Sequence, residues 1–153
     1  MANDTDTIQI LPLTAQHHAA WLPLWRGYQT FYKADLPTEV SEITWSRLLD
    51  AQESMGGALA WNGAEAVGLV HHIRHRSCWS AGDYMYMQDL YVNVGARRAG
   101  IGRKLIDYVC RLAGDLGCSR VYWLTHETNT EAMFLYDQVA ERSGFVQYRR
   151  TLK

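Results

Sequence analysis

The most informative segment of this chain is DLYVNVGARRAGIGRKLI, Asp89–Ile106. It joins a strand-like apolar run to a glycine-containing turn, which opens a strongly amphipathic helix. Gly100 and Gly102 lie where the backbone amides of a helix N-terminus are exposed, close to Arg97 and Arg98. Free N–H groups and the helix dipole both favour an anion at such a place. The stretch therefore predicts a phosphate-binding turn between a strand and a helix.

The spacing of the glycines excludes two common phosphate loops. A P-loop requires Gly-Lys followed by Ser or Thr, whereas Gly102 is followed by Arg-Lys-Leu. A dinucleotide-binding turn requires a third glycine where this chain has Leu105. The remaining pattern, Arg97-x-x-Gly100-x-Gly102, resembles the diphosphate loop of the GNAT (Gcn5-related N-acetyltransferase) superfamily, which binds acetyl-coenzyme A.

A second segment, residues 125–145, resembles the other signature of that family. There an asparagine opens a helix, an aromatic-Tyr pair follows, and Gly-Phe ends the unit; Asn129, Tyr136 and Phe145 match this pattern. Both segments occur in the order typical of the family. Three further segments, WRGYQTFY (25–32), LPTEV (36–40) and ERSGFVQYRR (141–150), resemble the Hpa2-like branch. That branch includes acetylators of polyamines and of basic protein tails.

The length and composition of the chain limit the classes of protein to which it can belong. A chain of 153 residues with 48% hydrophobic and 20% charged residues predicts one ordered domain over 1–153. A net charge of −1 gives no attraction to nucleic acid, and no apolar stretch reaches the ~18 residues of a membrane span. Three cysteines without a Cys-x-x-Cys spacing suggest free thiols in a cytoplasmic protein. We also expect a homodimer.

The order of the predicted elements matches the GNAT arrangement, β-α-α-β-β-β-α-β-α-β. It implies an α/β (α+β) fold with a central mixed, mostly antiparallel sheet flanked by helices. Helices are expected after Thr14, Pro37, Gly100 and Thr128. The predicted strands are Ile8 to Leu13, Gly57 to Trp61, Ala66 to Arg74, Tyr84 to Val94, Arg120 to Thr125 and Phe145 to Arg150.

The resemblance implies a set of contacts with acetyl-CoA, the expected co-substrate. Backbone groups of the strand would pair with the pantetheine arm as an added strand does. Amides of residues 98–103 would hold the diphosphate, although the arginines there also suit a solvated helix start. The implied cofactor residues are Leu90, Tyr91, Val92, Arg97, Arg98, Ala99, Gly100, Ile101, Gly102, Arg103, Asn129 and Tyr136.

Two residues are candidates for catalysis. Tyr136 matches the family tyrosine that protonates the leaving thiolate, and a tyrosine with its ordinary pKa of ~10 carries that proton at neutral pH; the alternative is a core tyrosine. Asp89 matches an acidic position of diamine acetyltransferase-like members, where Gln88 replaces a usual glutamate. His71, His72 and His75 are further candidates for a base. We expect no metal, because no carboxylate or cysteine stands beside the three histidines.

The acceptor site is expected on the first two helices, where aromatic and acidic residues suit an ammonium group. Tyr28 and Tyr32, together with Gln88 and Asp89, are its candidate residues, while Trp21 and Trp25 suit the core. The predicted activity is acetyl-CoA-dependent N-acetylation of a small-molecule primary amine, polyamine-like or amino-acid-like, by direct transfer in a ternary complex. The alternatives are a lysine acetyltransferase acting on a protein tail and a non-catalytic acyl-CoA-binding module.

Overall fold

The computed structural model describes residues 7–97 and 99–153. A five-stranded sheet runs in the order β1-β2-β3-β4-β5, and only β4 and β5 are parallel neighbours. The parallel pair needs a crossover connection, which the third helix provides. The strands are β1 (Ile8–Pro12), β2 (Met55–Asn62), β3 (Glu65–Ser77), β4 (Ser80–Val92) and β5 (Arg120–Tyr122). The predicted mixed, mostly antiparallel sheet is confirmed.

The described residues form four α-helices: α1 (His18–Phe31), α2 (Thr38–Leu49), α3 (Ile101–Asp115) and α4 (Thr130–Val139). α1 and α2 pack on one face of the sheet, and this core contains Trp21, Leu24, Trp25, Trp45, Leu48, Leu59, Leu69 and Tyr91. Trp21 and Trp25 are therefore core residues, as expected. No helix in the described ranges has the length and apolar character needed to cross a bilayer.

The third helix covers the opposite face of the sheet. Its buried residues are Ile101, Leu105, Ile106, Val109 and Ala113. Gly68 of β3 lets the helix approach, since a Cβ there would lie 3.3 Å from Leu105 Cδ1 and 3.4 Å from Ile101 Cγ2. The start of α3, which contains the glycine-rich turn, is thereby fixed against the end of β4.

A bulge in β4 changes which face its side chains occupy. His71 of β3 lies opposite Asp89 and His72 lies opposite Met87, so Gln88 is an extra residue on β4. Directly opposed residues share a face of the sheet, and successive residues of β3 point to opposite faces. Met87 and Asp89, two positions apart, therefore lie on opposite faces, and Asp89 points to the side of α1.

The chain divides into two compact units, residues up to Trp123 and residues Leu124–Lys153. The second unit contains α4, and residues 141–153 form neither helix nor strand. The predicted strand from Phe145 to Arg150 is therefore wrong for this chain. A strand requires a neighbour for its ladder of hydrogen bonds, and this segment is exposed, with Phe145 at 90% and Tyr148 at 94%. β5 is also shorter than predicted and ends at Tyr122.

Candidate active site

The C-terminal part of β4 has a free edge. β4 pairs with β5 only from Tyr84 to Tyr86, whereas its pairing with β3 continues to Val92. Within the described residues, positions 88–92 therefore have a strand neighbour on one side only. An extended ligand that carries amides can add to such an edge as a further strand. The predicted residues Leu90, Tyr91 and Val92 lie in this segment, and the Tyr91 side chain packs in the core below α1.

The turn after β4 ends in a helix N-terminus suited to an anion. Gly100 precedes α3 with φ 76°, a left-handed conformation that favours glycine. In the described part of the chain, no side chain caps this helix start and its first turn contains no acidic residue. Ile101, Gly102 and Arg103 form that first turn, so their amides and the positive end of the dipole fit a diphosphate. Arg98 lies outside the described residues.

Arg97 links the turn after β4 to the last residue of that strand. Its Nε donates a hydrogen bond to the Val92 carbonyl at 3.0 Å. Its guanidinium carbon lies 5.3 Å from the ring centre of Phe31 and 5.8 Å from that of Tyr91. Cation–π attraction at these distances ties the loop to α1 as well as to β4. The sequence predicted a charge for phosphate here, but it gave no sign of this contact with Phe31.

A buried hydrogen-bonded chain joins Asp89 to the core. The Asp89 Oδ2 lies 2.9 Å from His71 Nδ1, and His71 Nε2 accepts a 2.9 Å hydrogen bond from Trp21 Nε1. His71 is 3% exposed, and the Asp89 side chain is 13% exposed. Sequence reasoning proposed Asp89 and His71 separately, and it assigned Trp21 to packing alone. Their contact depends on the bulge at Gln88, which no periodicity in the sequence reveals.

The candidate acceptor residues Tyr28 and Tyr32, in and directly after α1, belong to a series of aromatic rings that reaches His71. Trp25 lies 5.1 Å from His71 between ring centres and stacks on Tyr28 at 5.8 Å. Tyr28 in turn contacts Tyr32 at 5.0 Å and Tyr91 at 6.1 Å. Tyr32 is exposed at the end of this aromatic series, and Gln88 is exposed at the bulge. Ring contacts thus link Tyr32 and Tyr28 through Trp25 to His71, and His71 is hydrogen-bonded to Asp89.

The other two histidines lie apart from Asp89. His75 is exposed, and its Nε2 is 2.7 Å from the Tyr122 hydroxyl. His72 is buried on the sheet face opposite His71, and burial, followed by the nearby His71, lowers the pKa of His72 from 6.5 to about 4. Among the described residues, no three His, Cys, Asp or Glu side chains are arranged to hold a metal ion.

Burial of His72 makes the protein sensitive to acid. The unfolded chain takes up a proton near pH 6.5, whereas folded His72 does so only near pH 4, so folding stability falls as the pH is lowered through this window. The full loss is about 3 kcal/mol by linkage. Denaturant unfolding at pH 7 and at pH 4 measures it, and His72→Leu should lose less stability than the wild type. Equal losses in the two proteins would contradict this prediction.

The second unit contains the two remaining candidates. Asn129 is the residue before α4, and its Nδ2 donates a 3.4 Å hydrogen bond to Thr125 Oγ1 instead of capping the helix. Tyr136 lies in the last turn of α4 and is half-buried. Both residues thus stand on the element that the sequence signature predicted for them.

Comparison with known proteins gives matches over most of the chain. The model of the acetyltransferase (GNAT) family matches residues 20–140. The D-amino-acid N-acetyltransferase of Saccharomyces cerevisiae is 38% identical over 147 residues, which cover 95% of this chain and 91% of that protein. The thialysine N-epsilon-acetyltransferase of Caenorhabditis elegans is 34% identical over 87 residues, 57% of this chain and 54% of that protein.

Solved structures share the fold at lower identity. An aminoglycoside N-acetyltransferase crystallised in complex with CoA superposes with a TM-score of 0.82 at 18% identity, covering 94% of each chain. An aminoglycoside acetyltransferase from an uncultured soil metagenomic sample, in complex with sisomicin, gives a TM-score of 0.81 at 21% identity over 97% of this chain and 98% of that one. At these identities the likeness concerns the fold.

Proposed function

The chain belongs to the GNAT family of acetyltransferases and is an N-acetyltransferase with acetyl-CoA as co-substrate, and we propose that its acceptor is the primary amine of a small molecule. The observation that carries this proposal is the position of Asp89. Its carboxylate is joined through His71 to the Trp21 ring of α1, and it lies next to the start of the free edge of β4. A negative group beside aromatic rings suits an ammonium ion.

The named relatives support an acceptor of this kind. They include enzymes whose names specify D-amino acids, thialysine and L-ornithine as acceptors. Each of these compounds has a primary amine, which is an ammonium ion at neutral pH. We propose an amino-acid-like or polyamine-like acceptor on these grounds, with Tyr28, Tyr32, Gln88 and Asp89 as the residues that face it.

The other residues have the following proposed roles. The free edge at Leu90–Val92 binds the amides of the co-substrate, except through the Val92 carbonyl, which accepts a hydrogen bond from Arg97. The amides of residues 99–103 with Arg97 and Arg98 bind its diphosphate. Asn129 contacts the pantetheine arm. In the ternary complex the bound ammonium first loses a proton to solvent. The neutral amine nitrogen then forms a C–N bond to the acetyl carbon and the C–S bond breaks. The leaving sulfur takes a proton from Tyr136, which solvent reprotonates, and the acetylated nitrogen loses its second proton to solvent.

Release of coenzyme A in the presence of different amines tests this function. The panel contains D-alanine, D-lysine, thialysine, L-ornithine, spermidine and a lysine-rich peptide, each with acetyl-CoA. We expect turnover with at least one small amine and a higher kcat/KM than with the peptide. A preference for the peptide would indicate a protein acetyltransferase. Binding of acetyl-CoA without turnover of any amine would indicate an acyl-CoA-binding module.

We further propose that the enzyme is a cytoplasmic homodimer and that residues 1–153 act as one catalytic domain. The three cysteines are free thiols, which suits a reducing compartment. Residues 141–153 expose the large apolar side chains of Phe145, Val146, Tyr148 and Leu152. A second copy that covers these side chains would remove apolar area from water.

Light scattering measures the oligomeric state. We expect a mass of twice the 17.5 kDa of one chain. Phe145→Asp should shift the protein toward the monomer, because a charge replaces an apolar contact, whereas the neighbouring polar change Gln147→Glu should not. A monomeric wild-type protein at micromolar concentration would refute the dimer.

A further inference from the structure

Three side chains from three elements form one hydrogen-bonded chain below α1. Trp21 of α1 donates through Nε1 to His71 Nε2 on β3, at 2.9 Å. His71 Nδ1 lies 2.9 Å from Asp89 Oδ2 on β4. Trp21 is fully buried and His71 nearly so, while Asp89 is the partly accessible end of the chain.

The chemistry of the donors fixes the position of each proton. An indole N–H only donates, so His71 Nε2 must present its lone pair to Trp21. A neutral imidazole with an unprotonated Nε2 carries its hydrogen on Nδ1, which then donates to the Asp89 carboxylate. A second proton on His71 would place an N–H against the indole N–H in a fully buried position. His71 is therefore a neutral donor in this arrangement, and it has no free lone pair with which to act as a base.

The packing also holds the imidazole in one orientation. A Cβ at Gly57 would lie 3.1 Å from His71 Cδ2 and 2.8 Å from the Val70 carbonyl oxygen, so the ring fits because β2 has a glycine there. The ring of Trp25 lies 5.1 Å away on the side of α1. With a fixed ring and a fixed hydrogen, His71 determines the direction of the Asp89 carboxylate.

A neutral donor orients Asp89 without neutralising it. An arginine or lysine partner would have cancelled the charge of the carboxylate, whereas the imidazole leaves it in place. In the described part of the chain, no group donates a hydrogen bond to the second oxygen, Oδ1. A partly buried carboxylate that retains its charge and one free oxygen is suited to a cationic partner from outside the chain.

We propose that His71 is a positioning residue for the acceptor site: it aims Asp89 Oδ1 at the ammonium group of the acceptor, and Trp21 sets the tautomer that makes this possible. The inference rests on the proposed acetylation of a small amine and specifies its acceptor as a cation. Asp89 contacts the acceptor, and His71 acts through Asp89. The rate of the chemical step therefore depends on His71 only through the binding and orientation of the amine.

The tautomer can be tested without any turnover. Protein labelled with ¹⁵N-histidine gives the protonation of both ring nitrogens, and the His71 signals are assigned by their loss in His71→Leu. We expect a protonated Nδ1 and an unprotonated Nε2 at neutral pH. Trp21→Phe should change the Nε2 signal because its donor is lost. A wild-type His71 with the hydrogen on Nε2 would overturn the proposal, whatever the enzyme acetylates.

The kinetic test compares two replacements of His71. His71→Leu removes the donor and should raise KM for the amine about tenfold or more, because a carboxylate that can rotate no longer presents Oδ1 to the ammonium group in one position. Acetyl-CoA affinity should stay unchanged. His71→Asn should recover most of the loss, because its amide can donate to Asp89 Oδ2. Glu65→Gln, at the exposed start of the same strand, is the control and should behave as wild type.

A further variant separates positioning from folding. His71→Leu leaves the Trp21 N–H buried without an acceptor, which lowers stability. The double variant Trp21→Phe/His71→Leu removes both polar groups and should still show the raised KM. An unchanged KM in that folded double variant would overturn the proposal. If the wild type acetylates no amine, the proposed function fails. The role of His71 is then decided by calorimetric titration of thialysine into the acetyl-CoA complex, with the dissociation constants of the wild type and the double variant compared.

Discussion

Replacement of Gly100 by valine is expected to weaken acetyl-CoA binding about 100-fold, or ~3 kcal/mol. Gly100 has φ 76°, which a β-branched residue adopts only with strain. A Cβ at Gly100 would have no neighbour within 4 Å, so the added atoms do not clash inside the protein. The affinity falls because the backbone at residue 100 leaves the left-handed conformation. The amides in the first turn of α3 then no longer converge on one anion.

Gly95 provides a matched control in the same loop. A Cβ at Gly95 would also have no neighbour within 4 Å, and its φ lies outside the left-handed region. Gly95→Val should therefore keep the affinity for acetyl-CoA close to that of wild type. Calorimetry gives the two dissociation constants, and the shift of the melting temperature by saturating acetyl-CoA gives an independent measure. Wild-type affinity in a folded Gly100→Val protein would refute the diphosphate site at this turn.

The part of the site built from local sequence could be predicted. The strand, turn and helix of Asp89–Ile106 follow one another along the chain, and a glycine at position 100 by itself favours the left-handed conformation observed there. The order of elements up to α4 could be predicted for the same reason, because helix and strand periods are local properties. The conformation of the turn and the start of α3 could thus be predicted from the sequence, whereas binding of a diphosphate there stays a prediction.

The acceptor side depends on contacts that are distant in sequence. Strict alternation would place Asp89 on the same face as Met87, and only the bulge at Gln88 turns it toward His71. Trp21 lies 50 residues from His71, so their hydrogen bond has no local signature. The predicted strand at 145–150 failed for a related reason: its apolar residues suit a strand, but a strand forms only where another edge can pair with it.

Replacement of Tyr136 by phenylalanine is expected to lower kcat about 100-fold, the low end of the 10²–10⁴ range of general-acid effects. The low end applies because a thiol has an ordinary pKa of ~8.5, so the thiolate leaves with little help. Phenylalanine keeps the half-buried ring on α4 and removes only the hydroxyl. Stability and acetyl-CoA affinity should therefore change little, and the loss should remain at saturating concentrations of both substrates.

Tyr108 of α3 gives a matched control, because Tyr108→Phe also removes one hydroxyl from a half-buried tyrosine, whose pKa burial raises. That variant should keep the kcat of wild type. Single-turnover measurements establish whether chemistry limits kcat, since a slow product release would conceal a defect in the chemical step. An unchanged single-turnover rate in Tyr136→Phe would assign Tyr136 to packing and the proton to water. A rate lowered together with acetyl-CoA affinity would assign its hydroxyl to binding. Only a selective loss of rate is expected of the residue that protonates the leaving sulfur.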